Sequence, residues 1–233
     1  MIYSDRLRTF LHSLEKPSGP EELCFPELRR QADEDGVPII RQEMEQFLHV
    51  LLELQKPGSI LEIGTATGYS AMRMASFTPE HVRITTIENY APRILEARRN
   101  IENSPWAGRI LLHEGDACEV LETLESGAYD FVFMDAAKAQ YIRFLPQVLR
   151  IMKTGGLLVS DNVLQDGVIL ESHYAVERRD RTIHARMREY LRVLCRTEGL
   201  VTSVVPIGDG AAVTVKKTGD EVLCTDKAQF RNC

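Results

Sequence analysis

Ile60-Leu61-Glu62-Ile63-Gly64-Thr65-Ala66-Thr67-Gly68 is the stretch on which the fold turns. A short apolar run that breaks into a glycine-bearing turn and opens a predicted helix, Tyr69–Phe77, is a strand–turn–helix unit. The layout recurs downstream. Ile84–Ile87 runs into Glu88, Ile110–Leu112 into His113-Glu114-Gly115-Asp116, Phe131–Met134 into Asp135, and Leu157–Val159 into Ser160-Asp161-Asn162. Predicted helices near Ala91–Asn103, Cys118–Leu124 and Gln140–Met152 separate these runs. Such alternation makes a parallel, doubly wound α/β sheet. Ligands of these sheets bind beyond the carboxyl ends of the strands, so the acidic and glycine-bearing ends should converge on one cleft.

The flanks extend this plan. Residues 2–16, 20–35 and Arg41–Lys56 read as helices, broken at Lys16-Pro17-Ser18-Gly19-Pro20 and stopped by Pro57-Gly58. With no strand among them, residues 1–56 are expected as a helical layer over one end of the sheet. After Asn162, residues 163–177 look irregular and too long for an idle connection, which makes them a candidate substrate loop. The next helix carries Arg181, Arg188, Arg192 and Arg196 on one face and Ile183, Met187, Tyr190, Leu191 and Leu194 on the other. Leu200–Val205 and Ala211–Lys216, joined through Gly208-Asp209-Gly210, are expected as an antiparallel pair. Residues 1–217 then form a single domain, and the polar tail 218–233 is expected to be poorly ordered.

Composition agrees with one globular unit. The chain has 233 residues, 44% of them hydrophobic, enough to bury a sizeable core. No apolar run approaches membrane-spanning length, and Met1-Ile2-Tyr3-Ser4-Asp5-Arg6 lacks the layout of a signal peptide. Five cysteines without a CxxC pair argue against a disulfide framework or a thiolate zinc site. A reducing, cytoplasmic setting is the expectation, with no membrane partner. The net charge of −6 argues against bulk attraction to nucleic acid, although Arg178, Arg179 and Arg181 form a local basic cluster.

The turn Gly64–Gly68 lacks the GxGxxG spacing of a dinucleotide site and the Lys-Ser/Thr of a phosphate loop. Glu88, closing the second strand, can accept hydrogen bonds from ribose hydroxyls. Asp116 closes the third, beside where an adenine amino group would fall. A glycine turn and a ribose carboxylate without a pyrophosphate cradle favour a nucleoside cofactor carrying no phosphate, and S-adenosylmethionine is such a molecule. A nicotinamide dehydrogenase is the competing class, disfavoured by the missing third glycine.

Asp135 and Asp161-Asn162 close two strands expected to be neighbours. Two carboxylates and an amide oxygen suit a hard divalent cation, magnesium first, and the absence of histidine or cysteine counts against zinc. Such an ion can hold two adjacent substrate oxygens and acidify a hydroxyl among them. Lys138, just past Asp135, is placed to take or stabilise that proton.

Leu61-Glu62-Ile63-Gly64 through Gly68-Tyr69-Ser70, Glu88, Asp135-Ala136-Ala137-Lys138 and Asp161-Asn162 resemble the cation-dependent O-methyltransferases, relatives of catechol and caffeoyl-coenzyme A O-methyltransferases, over about residues 35–216. The resemblance implies a Rossmann-like methyltransferase sheet of seven strands, the last antiparallel, and a homodimer. It places the Ile40 backbone and Ser70 at the methionine part of the cofactor, Glu88 at the ribose, and Asp116 and Ala117 near the adenine. The cofactor-binding set is then Ile40, Glu62, Gly64, Ser70, Glu88, Asp116, Ala117 and Asp135. Asp135, Asp161 and Asn162 would ligate the metal, and Lys138 would be the catalytic base.

Val37-Pro38-Ile39, Asp135 through Tyr141, Asp161-Asn162-Val163-Leu164, the Arg178/Arg179/Arg181 cluster and Pro206-Ile207-Gly208-Asp209-Gly210 are similar to the bacterial tRNA 5-hydroxyuridine methyltransferases. That resemblance implies methylation of 5-hydroxyuridine in tRNA to 5-methoxyuridine, with the three arginines on phosphates. The alternative acceptor is a small catechol-like or phenolic molecule, although loop 163–177 does not match the substrate residues of the catechol enzymes. The chain departs from the tRNA group in its longer tail after Lys217.

Overall fold

The computed structural model describes residues 5–14 and 24–217, so the polar tail and the predicted break at 16–20 lie outside the described residues. Seven strands form one sheet: β1 (Ser59–Ile63), β2 (Arg83–Glu88), β3 (Ile110–Glu114), β4 (Tyr129–Met134), β5 (Met152–Ser160), β6 (Leu200–Val205) and β7 (Ala211–Lys216). Their order is β3-β2-β1-β4-β5-β7-β6. The first five strands are mutually parallel, and β7 runs antiparallel to both β5 and β6. Chain direction across the sheet reverses between β1 and β4, the switch point where such folds bind ligands.

Helices α1 (Asp5–Ser13), α2 (Cys24–Glu34), α3 (Gln42–Gln55), α4 (Tyr69–Ser76), α5 (Ala91–Glu102), α6 (Ala117–Thr123), α7 (Tyr141–Ile151) and α8 (Arg181–Arg196) cover the sheet. The central strands are apolar on both sides because both faces are covered. On β4, Phe131 and Phe133 enter one core and Val132 and Met134 the other. Helices α6, α7 and α8 pack on the second face.

The N-terminal layer departs from expectation. Phe25 of α2 and Met44, Leu48 and Leu52 of α3 share the first core with Met72 of α4 and Ala97 of α5. These helices therefore cover a face of the sheet rather than its end, because the stripe at 44, 48 and 52 needs an apolar partner and α4 provides it. Segment 163–177 is not wholly irregular: residues Gln165–Leu170 form a 3-10 helix. Helix α6 starts at Ala117, one residue early, because the Asp116 carboxylate accepts the Cys118 N–H at 2.8 Å as an N-cap. Among the described residues no helix is long and apolar enough to cross a membrane, and Cys24, Cys118 and Cys195 are free thiols.

Candidate active site

A cavity of about 880 Å³ opens over the switch point. Ile40, Gly64, Ser70, Glu88, Asp116 and Ala117 line one half, and Asp135, Lys138, Asp161 and Asn162 line the other.

The first half is built largely from main chain. Gly64 (φ 101) and Gly68 (φ 83) bracket the turn in a backbone region costly for other residues. At Gly64 the requirement is also steric, since a Cβ would overlap the Asp135 carbonyl of neighbouring β4. Gly64 and Thr65 donate their N–H groups to the Ile87 carbonyl at 3.0 and 3.2 Å, which hangs the turn on the end of β2. The Glu88 carboxylate accepts from Ala66 N at 2.9 Å and from Asn89 N and Tyr90 N at 3.0 Å each. Three of its roughly four lone pairs are thus used in shaping the cavity.

Glu62 stands apart from the other expected cofactor residues. It is fully buried and does not line the cavity. Its Oε2 accepts from the Thr86 hydroxyl at 2.6 Å, and Thr86 meets Thr65 at 2.5 Å. Burial pushes the Glu62 carboxyl up to about 8, against hydrogen bonds from Ser70 and Thr86 that favour the anion. Burial thus favours the neutral acid form of this support under the turn. Ile40 reaches the cavity from the segment before α3, where its carbonyl accepts from Arg29 at 3.3 Å. Arg29 also donates to Glu45 at 2.8 Å and to Tyr69 Oη at 3.0 Å, so α2 ties the covering segment to α3 and α4.

The second half gathers charge. Lys138 Nζ donates to Asp135 Oδ1 at 2.8 Å, Asn162 Oδ1 at 2.9 Å and Tyr141 Oη at 3.1 Å. The turn after β4 thereby places an ammonium where oxygens from two strand ends converge. Asn162 sits at φ 55, a left-handed conformation that asparagine tolerates better than most residues. Its own N–H reaches Asp161 Oδ1 at 2.7 Å. Asp161 is only 3% exposed, and burial followed by the Asp135 charge pushes its carboxyl well above the ordinary range. Tyr141, fully buried, shares its hydroxyl hydrogen between the carbonyls of Met134 (3.0 Å) and Asp161 (3.1 Å), locking the ends of β4 and β5 together. The donor set is all oxygen, it already attracts one cation, and among the described residues no cationic side chain forms an ion pair with Asp161. These residues fit a hard divalent ion.

The arginine cluster lies differently. Asp180 and Ile183 line the cavity, whereas Arg178, Arg179 and Arg181 do not. Arg179 is 79% exposed and pairs with Glu177 at 3.0 Å and Asp180 at 3.5 Å. Arg181 turns its Nε to the Val176 carbonyl at 3.1 Å.

Sequence reasoning missed Tyr141, Arg29 and Asp209 as site residues. Tyr141 follows Lys138 by three positions, which was a usable signal. Asp209, at the turn before β7, lines the cavity but carries no local mark of it.

A glycine turn, a carboxylate closing β2 and an oxygen-donor cluster at the switch point give the sheet the ligand-site layout of the Rossmann-like class. The O-methyltransferase family profile matches residues 15–217. A catechol O-methyltransferase of Niastella koreensis is 34% identical over 145 residues, 60% of this chain and 66% of that protein. A caffeoyl-CoA O-methyltransferase of Citrus natsudaidai is 29% identical across 93% of this chain and 97% of its own length. A Staphylococcus aureus structure assigned as a caffeoyl-CoA O-methyltransferase superposes with a TM-score of 0.81 at 30% identity, covering 91% of this chain and 98% of that one. The chain belongs to the O-methyltransferase family and is an S-adenosylmethionine-dependent enzyme.

Proposed function

We propose that the enzyme methylates one of two neighbouring oxygens with the help of a divalent cation, and that its acceptor is 5-hydroxyuridine in tRNA. The observation that carries the first part is the convergence of Asp135, Asn162 and the buried Asp161 in the cavity wall, next to the glycine turn. Asp135, Asp161 and Asn162 would hold the ion, magnesium being the first choice. When bound, the ion supplies Lewis acidity toward paired oxygens, and the sulfonium cofactor supplies the methyl group. As the ammonium that its three donated hydrogen bonds describe, Lys138 would stabilise the acceptor oxyanion; to act as the base it would first give one proton to solvent and then take the acceptor's. The remaining walls orient the two reactants, and orientation is the main source of rate for such a transfer.

Support for the tRNA acceptor comes from the chain beyond the cavity rim. Arg178 and Arg179 are exposed beside Asp180, which lines the mouth, and the 5-hydroxyl and 4-carbonyl of the base form the required oxygen pair. A single-stranded loop base splayed into the cleft is the ordinary way RNA is read. The second reading, a small catechol-like acceptor, is favoured by the named relatives and by the ion pairs that temper Arg179.

The deciding assay offers the purified enzyme hydroxyuridine-containing tRNA and catechol in parallel. Reversing Arg178 and Arg179 to Glu should lower tRNA methylation and flatten its logarithmic salt dependence by roughly 0.7 per lost phosphate contact. Affinity for S-adenosylmethionine should not change. Efficient methylation of catechols with none of tRNA would replace the first acceptor by the second.

A further inference from the structure

Helix α8 spends four polar side chains on main-chain carbonyls of other segments. Arg181 Nε donates to Val176 O at 3.1 Å, and Arg188 Nη1 donates to Ile169 O at 2.9 Å. His184 Nε2 lies 3.1 Å from Glu171 O, and because a carbonyl only accepts, this nitrogen carries the hydrogen. On the other flank, Arg186 Nη1 donates to Ala139 O at 3.2 Å. At about 100° per residue, Ile183, Met187, Tyr190 and Leu194 form the inward stripe. Positions 181, 184 and 188 then fall to one side of it and 186 to the other.

The two segments so held are the acceptor side of the cavity. Ala139 follows Lys138 directly and belongs to its 3-10 turn. Residues 169–176 belong to the loop that leaves Asp161-Asn162, and Val168 of that loop lines the cavity. The loop has no strand partner to satisfy its carbonyls, so buried ones must find side-chain donors. It is fastened at Ile169 and Val176, each 5% exposed, while Leu170 and Tyr174 between them are 80% and 89% exposed. His184 is itself 2% exposed, which makes its bond to the loop costly to lose.

We propose that α8 is the fixture of the acceptor site. Arg186 is a positioning residue for the turn bearing Lys138, and Arg181, His184 and Arg188 are positioning residues for the loop that receives the acceptor. None of the four lines the cavity. Their effect is to set loop and lysine in register before the acceptor arrives, which spares the ordering cost on binding.

The test compares full-length variants that remove donors with variants that keep them. His184→Leu combined with Arg188→Met should speed amide hydrogen exchange across residues 165–176 about tenfold, leaving the amides of β1 and β4 unchanged. The acceptor KM should rise about tenfold while cofactor affinity stays within twofold, and His184→Gln with Arg188→Lys should restore both. Arg186→Met should instead lower kcat about tenfold at unchanged KM, with Arg186→Lys restoring it. Unchanged exchange in the loop would overturn the proposal. So would loss of cofactor affinity and uniformly faster exchange, which would make α8 a plain packing element. The kinetic arm rests on the proposed acceptor, whereas the exchange arm does not. Faster loop exchange in an enzyme that ignores both tRNA and catechol would therefore uphold the fixture and reject the acceptor.

Discussion

At the ends of β2 and β3 the carboxylates are held by main-chain N–H groups: Glu88 by Asn89 and Tyr90 of its own turn and by Ala66 of the turn after β1, and Asp116 by Cys118. At the ends of β4 and β5 the corresponding groups face each other, and Lys138 supplies the cation between Asp135 and Asn162. Asp161 Oδ1 accepts the Asn162 N–H, and among the described residues no cationic side chain pairs with it. The first pair of carboxylates is thus satisfied by neutral main-chain donors, while at the second pair Lys138 bridges Asp135 and Asn162 beside the buried Asp161. In the proposed function the first half would hold the cofactor and the second a divalent cation.

Removing Asp161 should break this contrast with the largest effect. Asp161→Ala, or metal-free assay of the unaltered enzyme in chelator, should reduce turnover at least about 10³-fold, equivalent to roughly 4 kcal/mol of barrier. Calorimetric affinity for S-adenosylmethionine should remain within about twofold. Full turnover in chelator, with metal content verified as nil, would mean that the acceptor half works without an added cation.

A smaller effect is expected on the other side. Glu88→Gln keeps an oxygen for the turn but removes charge-assisted bonding to a ribose, so the Kd for S-adenosylmethionine should rise about tenfold or more. Turnover at saturating cofactor should hold. An unchanged Kd would show that Glu88 serves only to shape the turn.

The smallest effect concerns Glu62, the buried acid beneath the glycine turn. The folded protein holds this carboxyl up at about 8, against an ordinary value of 4.5, so the folded state keeps a proton that the unfolded chain loses. Stability from this group is fully present below about 4.5 and declines as pH rises from there through about 8. Glu62→Gln should therefore have nearly the Tm of the unaltered protein at pH 5 and a higher Tm at pH 9. A pH-independent difference in Tm would mean that Glu62 is already ionised in the folded state.

The strand ends were legible because each places its chemistry within a few residues of an apolar run: Gly64 after β1, Glu88 on β2, Asp135 after β4 and Asp161-Asn162 after β5. Lys138 was legible for the same reason, being three residues from Asp135. What could not be read depends on which surfaces meet. Helical periodicity in α3 marks an apolar stripe but not the side of the sheet that takes it. Glu62 looks like a ligand-facing acid in one dimension and is sealed beneath Thr65 and Thr86 in three. Arg186 and His184 sit in a helix whose exposed arginines conceal two inward-working donors. Arg181, read as a phosphate contact, has its Nε committed to Val176.

Nothing larger than hydrogen fits at residue 64, because the Asp135 carbonyl of the next strand fills that space. The glycine turn and Asp135 are consequently packed backbone to backbone with no side chain as a spacer, and in the proposed function these are the shelf for the methyl donor and the first residue of the receiving side. On that reading the reach of the reaction would be a constant of the sheet, and the choice of recipient a variable of the loop and helix beyond Asn162. A re-targeted enzyme would keep 59–70 and 131–138 intact and vary 163–188, changing the customer without retuning the machine.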